Sequence, residues 1–160
     1  MAANSIINGT APQAEIKRLA MIGCGSMGGG MALLFAENGV HVSLQDPSEK
    51  AMDGVIAEAK TGGFDDRLSK HTDYESLCRS LGWKPGQSPH EDPKVFVWSL
   101  PHGAVGDKVL ELAMPYLKKG DIIIDAANEN WQNTERRQGK CVVRGIRYVG
   151  MGVSGGYQAA

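Results

Sequence analysis

The amino-acid sequence predicts an α/β fold of three layers, in which helices cover both faces of a doubly wound parallel sheet. Short apolar runs alternate with helical patterns, which is typical of parallel strands joined by right-handed crossovers. Two of these runs, at 95–98 and 122–124, are continuously apolar, as expected for strands that are covered on both faces. The chain of 160 residues is long enough for one domain with a sizeable core. We expect residues 15–160 to form this domain and the polar residues 1–14 to be a disordered tail.

The first apolar run leads into a glycine-rich turn with the spacing GxGxxG, and a helical pattern follows it. In such a Rossmann-type unit Gly23 permits the tight turn, Gly25 lets the backbone approach a pyrophosphate, and Gly28 lets the helix pack on the strand. The helix N-terminus adds free N–H groups and a partial positive charge for the phosphates. We therefore expect cofactor contacts from these glycines and from Ser26 and Met27 between them.

An acidic residue, Asp46, ends the second strand. It lies about 20 residues past the glycines, where the dinucleotide fingerprint expects a ligand for the ribose hydroxyls. The alternative is a structural turn in which Asp46 caps the next helix. The combination of strand, turn, helix and acid favours dinucleotide binding. A carboxylate at this place also favours NAD over NADP, whose 2′-phosphate would meet like charge, although the nearby Lys50 could offset that repulsion.

The other elements follow from the spacing of apolar residues and from the glycines and prolines near their ends. Pro47 is expected in the first turn of the second helix, which Gly62 and Gly63 end. The expected elements, in order, are a strand at 16–22, a helix with Met27, Met31, Leu34 and Phe35 on its apolar face, a strand at 40–45, a helix with Met52, Val55, Ile56 and Ala59 on its apolar face, a poor strand at 67–72, a short helix at 74–81, a surface loop at 84–93, a strand at 95–98, a helix with Val105, Val109, Leu112, Ala113 and Tyr116 on its apolar face, a strand at 122–124, a helix at 131–140 and a strand at 146–151.

Composition and charge exclude several classes of function. The net charge of −1 gives no reason to expect nucleic acid or an anionic membrane as a partner. No apolar run is long enough to cross a bilayer, and the first residues lack the pattern of a signal peptide, so we expect a cytoplasmic protein. Cys24, Cys78 and Cys141 form no metal-binding pattern and indicate free thiols in a reducing compartment. Cys24 inside the glycine turn is interpreted as a small side chain that fits there.

Polar and glycine-rich clusters follow several of the expected strands. Parallel sheets bind ligands beyond the carboxyl ends of their strands, and the clusters should meet there. We expect the segment Ser99, Leu100 and Pro101 and the side chain of Asn128 to contact the cofactor, with Ser154 at the same edge. Asn128 could instead satisfy the backbone of a turn.

Two motifs in the second half of the chain resemble the N-terminal, cofactor-binding domain of 6-phosphogluconate dehydrogenase. Residues 120–128 read GDIIIDAAN and residues 148–156 read YVGMGVSGG, against family patterns close to GDIIIDGGN and FVGxGVSGG. The resemblance implies an oxidative decarboxylation of 6-phosphogluconate to ribulose 5-phosphate in the pentose phosphate pathway, with hydride passed to NADP. By position, Asn128 would hold the substrate and the nicotinamide ribose. The substrate, a small anionic sugar acid, would also be held by Ser154, Gly155 and Gly156.

The sequence departs from the family pattern in three places. The glycines before Asn128 are alanines, and Glu129 stands where the family has a serine, so a carboxylate there is expected to repel an acidic substrate. Residues 46–48 read DPS, where the family has Asn-Arg-Thr and its arginine binds the 2′-phosphate of NADP. The family's catalytic lysine and glutamate lie after the VSGG motif, in a helical domain that we do not find here, so no catalytic residue is assigned. The longer protein would be a possible homodimer.

Two other functions stay open from the sequence, an NAD-dependent β-hydroxyacid dehydrogenase with another acid substrate and a dinucleotide-binding module without chemistry. Five side chains are given structural interpretations. His102 is expected to line a loop, and Trp98 and Trp131 to belong to the core or its rim. Arg136 and Arg137 could reach a phosphate, but a solvated helix face is the preferred interpretation.

Overall fold

A computed structural model describes residues 15–84 and 93–154 of the chain. Within these residues six strands form one sheet in the order β3-β2-β1-β4-β5-β6, and every pairing is parallel. Three-residue 3₁₀ turns precede β3 and follow α4. The strands and helices are β1 Arg18–Ile22, α1 Ser26–Glu37, β2 His41–Gln45, α2 Glu49–Gly62, β3 Leu68–His71, α3 Tyr74–Ser80, β4 Val95–Trp98, α4 Ala104–Ala113, β5 Ile122–Asp125, α5 Trp131–Val142 and β6 Arg147–Gly150.

The first strand marks the point at which the winding of the sheet reverses. β1 pairs with β2 on one side and with β4 on the other, and the chain builds outward from it in both directions. The predicted doubly wound parallel sheet is therefore confirmed. Its carboxyl ends form a crevice at β1 and β4, which is where sheets of this kind bind their ligands.

Two apolar clusters cover the two faces of the sheet. Phe96 and Trp98 point into one cluster together with α3, α4 and α5, while Met21 and Leu44 point into the other together with α1 and α2. Trp98 is fully buried and meets Tyr148 edge-on at 5.7 Å between ring centroids. The prediction that Trp98 belongs to the core is confirmed, and Trp131 lies exposed at the start of α5.

The apolar faces predicted for two helices are partly wrong. The buried face of α1 consists of glycines, alanines and Leu33, while Leu34 is 36% exposed. A Cβ at Gly29 would lie 2.9 Å from Val55 of α2, so this face carries small residues because the two helices pack closely. In α4, Val105 and Leu112 are exposed. The first buried residue is Gly106, which a search for apolar side chains does not detect.

The start of α2 also differs from the prediction. Ser48 is the N-cap and its hydroxyl accepts from the backbone N–H of Ala51, so Pro47 lies before the cap rather than in the first turn. The end of α2 at Gly62 and Gly63 is as predicted, with Gly63 in the left-handed conformation. The predicted tail at 1–14, most of the predicted loop at 84–93, and Gly155 and Gly156 lie outside the described residues.

Candidate functional site

The glycine turn between β1 and α1 is packed against the start of the loop after β4. Gly23 has a φ of 92°, and a Cβ on it would lie 2.1 Å from the carbonyl oxygen of Ser99. A Cβ at Gly28 would lie 1.9 Å from the carbonyl oxygen of Gly23. Neither position accepts a side chain without moving backbone, so both glycines are required by close approach within the protein.

Gly25 differs from Gly23 and Gly28 because it faces open space. A Cβ there would meet no atom within 4 Å, and its φ of −66° and ψ of −172° are accessible to any residue. Gly25 is the N-cap of α1, where no side chain makes a capping hydrogen bond and no acidic residue lies in the first turn. This is an open cradle beside the uncapped N–H groups of a helix, and it fits a pyrophosphate.

Asp46 ties the glycine turn to the end of β2. One carboxylate oxygen accepts from the backbone N–H of Cys24 at 2.7 Å, and the other accepts from the backbone N–H of Ser48 at 2.8 Å. The helix cap itself is Ser48, so the alternative in which Asp46 caps α2 does not hold. An ionised carboxylate has about four acceptor sites, and two of them remain for a ribose hydroxyl.

Lys70 of β3 forms ion pairs with two carboxylates of α2, the helix that follows Asp46. Lys70 donates to Asp53 at 2.6 Å and to Glu49 at 3.5 Å, and the hydrogen bond that it gives to Asp53 raises the pKa of its ammonium. The positive charge of Lys70 is therefore shared with two carboxylates of α2. Lys50, the cation that could offset a 2′-phosphate, is exposed in the first turn of α2.

The thiol of Cys24 is not available as a nucleophile. Burial, helped by the charge of Asp46, raises its pKa to about 12. Burial raises the pKa of Cys78 to about 12 and that of Cys141 to about 11 in the same way. All three cysteines are free and buried, which agrees with the interpretation of Cys24 as a small side chain in a tight turn.

The loops after β5 and β6 meet at the same edge of the sheet. The Asn128 side chain donates from Nδ2 to the backbone carbonyl of Val153 at 3.0 Å. Asn128 is exposed, and so is Ser154, which follows Val153 in the chain. The structure thus brings together the two segments that carry the resemblance, with Asn128 and Ser154 both at exposed positions.

Glu129 is buried and paired with Arg137, which removes the reason to expect that its charge repels an acidic substrate. Its side chain is 4% exposed and is bound by four donors. These donors are the Arg137 guanidinium, the backbone N–H groups of Gly103 and Asn130, and the Asn133 amide. Burial alone would raise the pKa of Glu129, but the hydrogen bonds outweigh it and lower the pKa to about 2. The carboxylate is ionised and compensated within the protein.

Arg137 is the second residue whose environment was not predicted. Its side chain is 1% exposed, although a solvated helix face was expected, while Arg136 is half exposed as expected. Burial would lower the pKa of Arg137, yet its bonds to Glu129 and Asp107 raise it. The signal for this burial is the glycine at position 106, because a Cβ there would lie 2.6 Å from the guanidinium carbon.

A cavity of about 660 Å³ lies between α1 and α2. It touches the cradle at Gly25 and Ser26 but extends along the helices past Leu33 and Glu58, away from the loops after β4, β5 and β6. The fingerprint instead directs a dinucleotide across the carboxyl ends of the strands. Within the described parts of the chain, no helix is long and apolar enough to cross a membrane, and no cluster of side chains is suited to a metal ion.

A phosphate cradle at the switch point of a doubly wound sheet, with an acid at the end of the second strand, is the arrangement of dinucleotide-binding domains. Comparison with known proteins narrows this class. Residues 18–160 match the family model of the NAD binding domain of 6-phosphogluconate dehydrogenase, and the chain belongs to this family.

Individual relatives agree with this assignment. The chain is 37% identical over 134 residues to the decarboxylating 6-phosphogluconate dehydrogenase of Emericella nidulans, covering 84% of this chain and 26% of that protein. The Plasmodium falciparum 6-phosphogluconate dehydrogenase structure aligns with a TM-score of 0.76 at 24% identity, over 89% of this chain and 28% of that one. The Mycobacterium tuberculosis 3-hydroxyisobutyrate dehydrogenase structure aligns with a TM-score of 0.71 at 18% identity, over 91% of this chain and 43% of that one. These two structures establish the fold, and the chain spans about a quarter of the curated relative.

Proposed function

We propose that this NAD-binding domain takes NAD in preference to NADP and provides the cofactor half of an enzyme that oxidises and decarboxylates 6-phosphogluconate. The observation that carries the cofactor preference is the Asp46 carboxylate at the end of β2, held by Cys24 and Ser48. Its free acceptor sites suit a ribose 2′-hydroxyl, whereas a 2′-phosphate would meet its charge. Glu49 and Asp53 of α2 are paired with Lys70, so Asp46 is the carboxylate that we assign to the choice of cofactor.

The proposed cofactor site runs along the carboxyl edge of the sheet. Gly23 and Gly28 shape the turn, and Gly25, Ser26 and Met27 would receive the pyrophosphate at the start of α1. Asp46 would bind the adenosine ribose. The nicotinamide half would then lie on the other side of the switch point, towards the loops after β4 and β5. The residues proposed for that half are Ser99, Leu100, Pro101 and Asn128.

The proposed substrate is a small anionic sugar acid bound beside the nicotinamide half. Asn128 and Ser154 are the described residues that we assign to it, and Gly155 and Gly156 complete the motif. Support comes from the contact between the two loops and from the Emericella nidulans relative, whose name specifies 6-phosphogluconate. Because Glu129 is buried in an ion pair, the argument for a different acid substrate loses its main reason.

The bound cofactor supplies the hydride acceptor, and this chain's residues bind and orient it. Oxidation of a hydroxyl also needs a base near the leaving proton. His102 is exposed in the loop after β4 and lacks a carboxylate partner among the described residues, so no catalytic residue is assigned. A cytoplasmic location and a homodimer of the longer protein also stay predictions.

Titration of the pure chain with NADH, followed by the fluorescence of the reduced cofactor, tests the proposal. NADPH and ADP-ribose are then used as competitors. We expect NADH to bind, ADP-ribose to displace it, and NADPH to compete more weakly than NADH. Tighter binding of NADPH would reverse the cofactor preference. Failure of both dinucleotides and of ADP-ribose to bind would contradict the proposed function as a whole.

A further inference from the structure

Gly103, at the start of α4, has both of its backbone polar groups held by side chains from another part of the chain. Its N–H donates to Glu129 at 2.8 Å, and its carbonyl accepts from Arg137 at 2.6 Å. Its φ of 90° and ψ of −141° lie in a region that favours glycine. The loop after β4 is thereby bound to the loop after β5 and to α5.

The two side chains that hold Gly103 are also bound to each other. Arg137 donates to Glu129 at 2.9 Å and to Asp107 at 3.2 Å, and it lies 3.6 Å from Asp125 at the end of β5. A buried charge is tolerated only when it is paired and hydrogen-bonded. Both charges here are paired and hydrogen-bonded, although the buried Nε of Arg137 has no partner among the described residues, and the pair joins the two loops as a clamp.

The clamp is adjacent in the chain to the residues proposed for the nicotinamide half of the site. Gly103 follows Pro101 by two positions, and Glu129 follows Asn128 by one. Within the described residues, no hydrogen bond or ion pair joins Asp46, Gly25 or Ser26 to Glu129 or Arg137. The influence of the clamp should therefore fall on one half of the dinucleotide.

We propose that Glu129 and Arg137 are positioning residues that fix the loops after β4 and β5 in the arrangement needed to receive the nicotinamide half of the cofactor. The proposal rests on the proposed function, since it presumes that a dinucleotide binds across the switch point. Without the clamp the two loops would move independently, and binding would have to supply the free energy of ordering them.

The chain offers a matched control at the opposite edge of the same two strands. Lys94 precedes β4 and Asp121 precedes β5, and their side chains form an ion pair of 2.8 Å that is 2% and 0% exposed. This pair joins the amino ends of β4 and β5, as Glu129 and Arg137 join the segments at their carboxyl ends. Its loss should destabilise the fold without disturbing the cofactor edge.

The test compares NADH with ADP-ribose, which lacks the nicotinamide half, in Glu129→Gln, Arg137→Met and Lys94→Met. In the two clamp variants we expect NADH affinity to fall by roughly three- to tenfold, because each loses hydrogen bonds that order the loops. ADP-ribose affinity should change by less than about twofold. Lys94→Met should lower the melting temperature and leave the ratio of the two affinities unchanged.

Each outcome of this test decides between the proposals. Equal losses for NADH and ADP-ribose in Glu129→Gln, or no loss for either, would overturn the positioning role. A changed ratio in Lys94→Met would also overturn it, because any destabilising change would then suffice. Absence of ADP-ribose binding in the unaltered chain would instead contradict the proposed function. Glu129→Gln keeps the shape of the side chain, so it serves if Arg137→Met does not fold.

Discussion

The Asp46 carboxylate accepts a hydrogen bond from the backbone N–H of Cys24 at 2.7 Å, across 22 positions in the chain. The residue proposed to select the cofactor is therefore also the residue that anchors the glycine turn. Selectivity and the shape of the phosphate cradle depend on one side chain. A substitution there should change both properties, which calls for a control that changes charge alone.

Asp46→Asn should narrow the preference for NAD over NADP. The negative charge that opposes a 2′-phosphate is removed, while one of the two backbone donors, at Cys24 or Ser48, loses its acceptor because an amide has a single oxygen. We expect NADH affinity to fall by about tenfold and NADPH affinity to change less. Asp53→Asn, which removes a nearby charge without touching the turn, should leave the ratio close to that of the unaltered chain. A preference that is unchanged in Asp46→Asn would contradict this assignment.

Gly25→Ala should separate cofactor binding from folding. A Cβ at Gly25 meets no protein atom within 4 Å, so the melting temperature should stay the same while the added methyl group obstructs the pyrophosphate. Gly54→Ala is the control, because its Cβ also meets open space but lies on α2, along the cavity that we do not assign to the dinucleotide. It should stabilise the fold by about 1 kcal/mol and leave NADH binding unchanged. Normal NADH binding by Gly25→Ala would show that the cradle does not hold the phosphates.

The stability contributed by Glu129 should disappear in acid. Its pKa is lowered to about 2 from an ordinary value of 4.5, so its contribution is present above about pH 4.5 and is lost as the pH falls towards 2. Arg137, Asp107 and Asp125 surround the site, and the arginine stays charged throughout. Urea unfolding of the unaltered chain and Glu129→Gln at a series of pH values measures this. The difference in unfolding free energy should be constant near neutral pH and shrink in acid, and a difference independent of pH would contradict the lowered pKa.

The strands were predictable because their signal is local, whereas the clamp was not. Val95–Trp98 is apolar at every position, and such a run has few alternatives to a buried strand. The burial of Arg137 depends on Glu129 and on Gly103, which is 34 positions away, and on a glycine at 106 that hydropathy does not register. The apolar face of α1 was misjudged for the same reason, since close helix packing selects small residues. The position of Asp46 at the end of β2 was predictable, but its bond to Cys24 was not.

Asn128→Ala and Ser154→Ala should weaken substrate use in a longer protein that includes this domain, without unfolding it. Both side chains are exposed on loops, and each is proposed to give the substrate a hydrogen bond worth about 0.5–1.5 kcal/mol net. Asn128→Ala also removes the contact with Val153, so its effect should be the larger. Steady-state kinetics with 6-phosphogluconate measures the change, and the melting temperature is the control for folding. Unchanged kinetics in both variants would mean that the loops have only a structural role.

The 160-residue chain should bind the cofactor but should not turn over 6-phosphogluconate. The glycine turn, the start of α1 and Asp46 lie within one β-α-β unit, and the loops proposed for the nicotinamide half also belong to this chain, so we expect the chain to bind the dinucleotide. Turnover needs a base for the hydroxyl proton and an acid for the enediol left by decarboxylation. Glu129 is held by Arg137 and cannot serve, His102 lacks a carboxylate partner within the described residues, and the resemblance assigns these roles to residues after the VSGG motif. The absorbance of the reduced cofactor measures the rate, with the Emericella nidulans relative as a positive control in the same assay. Steady reduction of NAD by the pure chain, abolished by Asn128→Ala, would show that these 160 residues contain the catalytic groups.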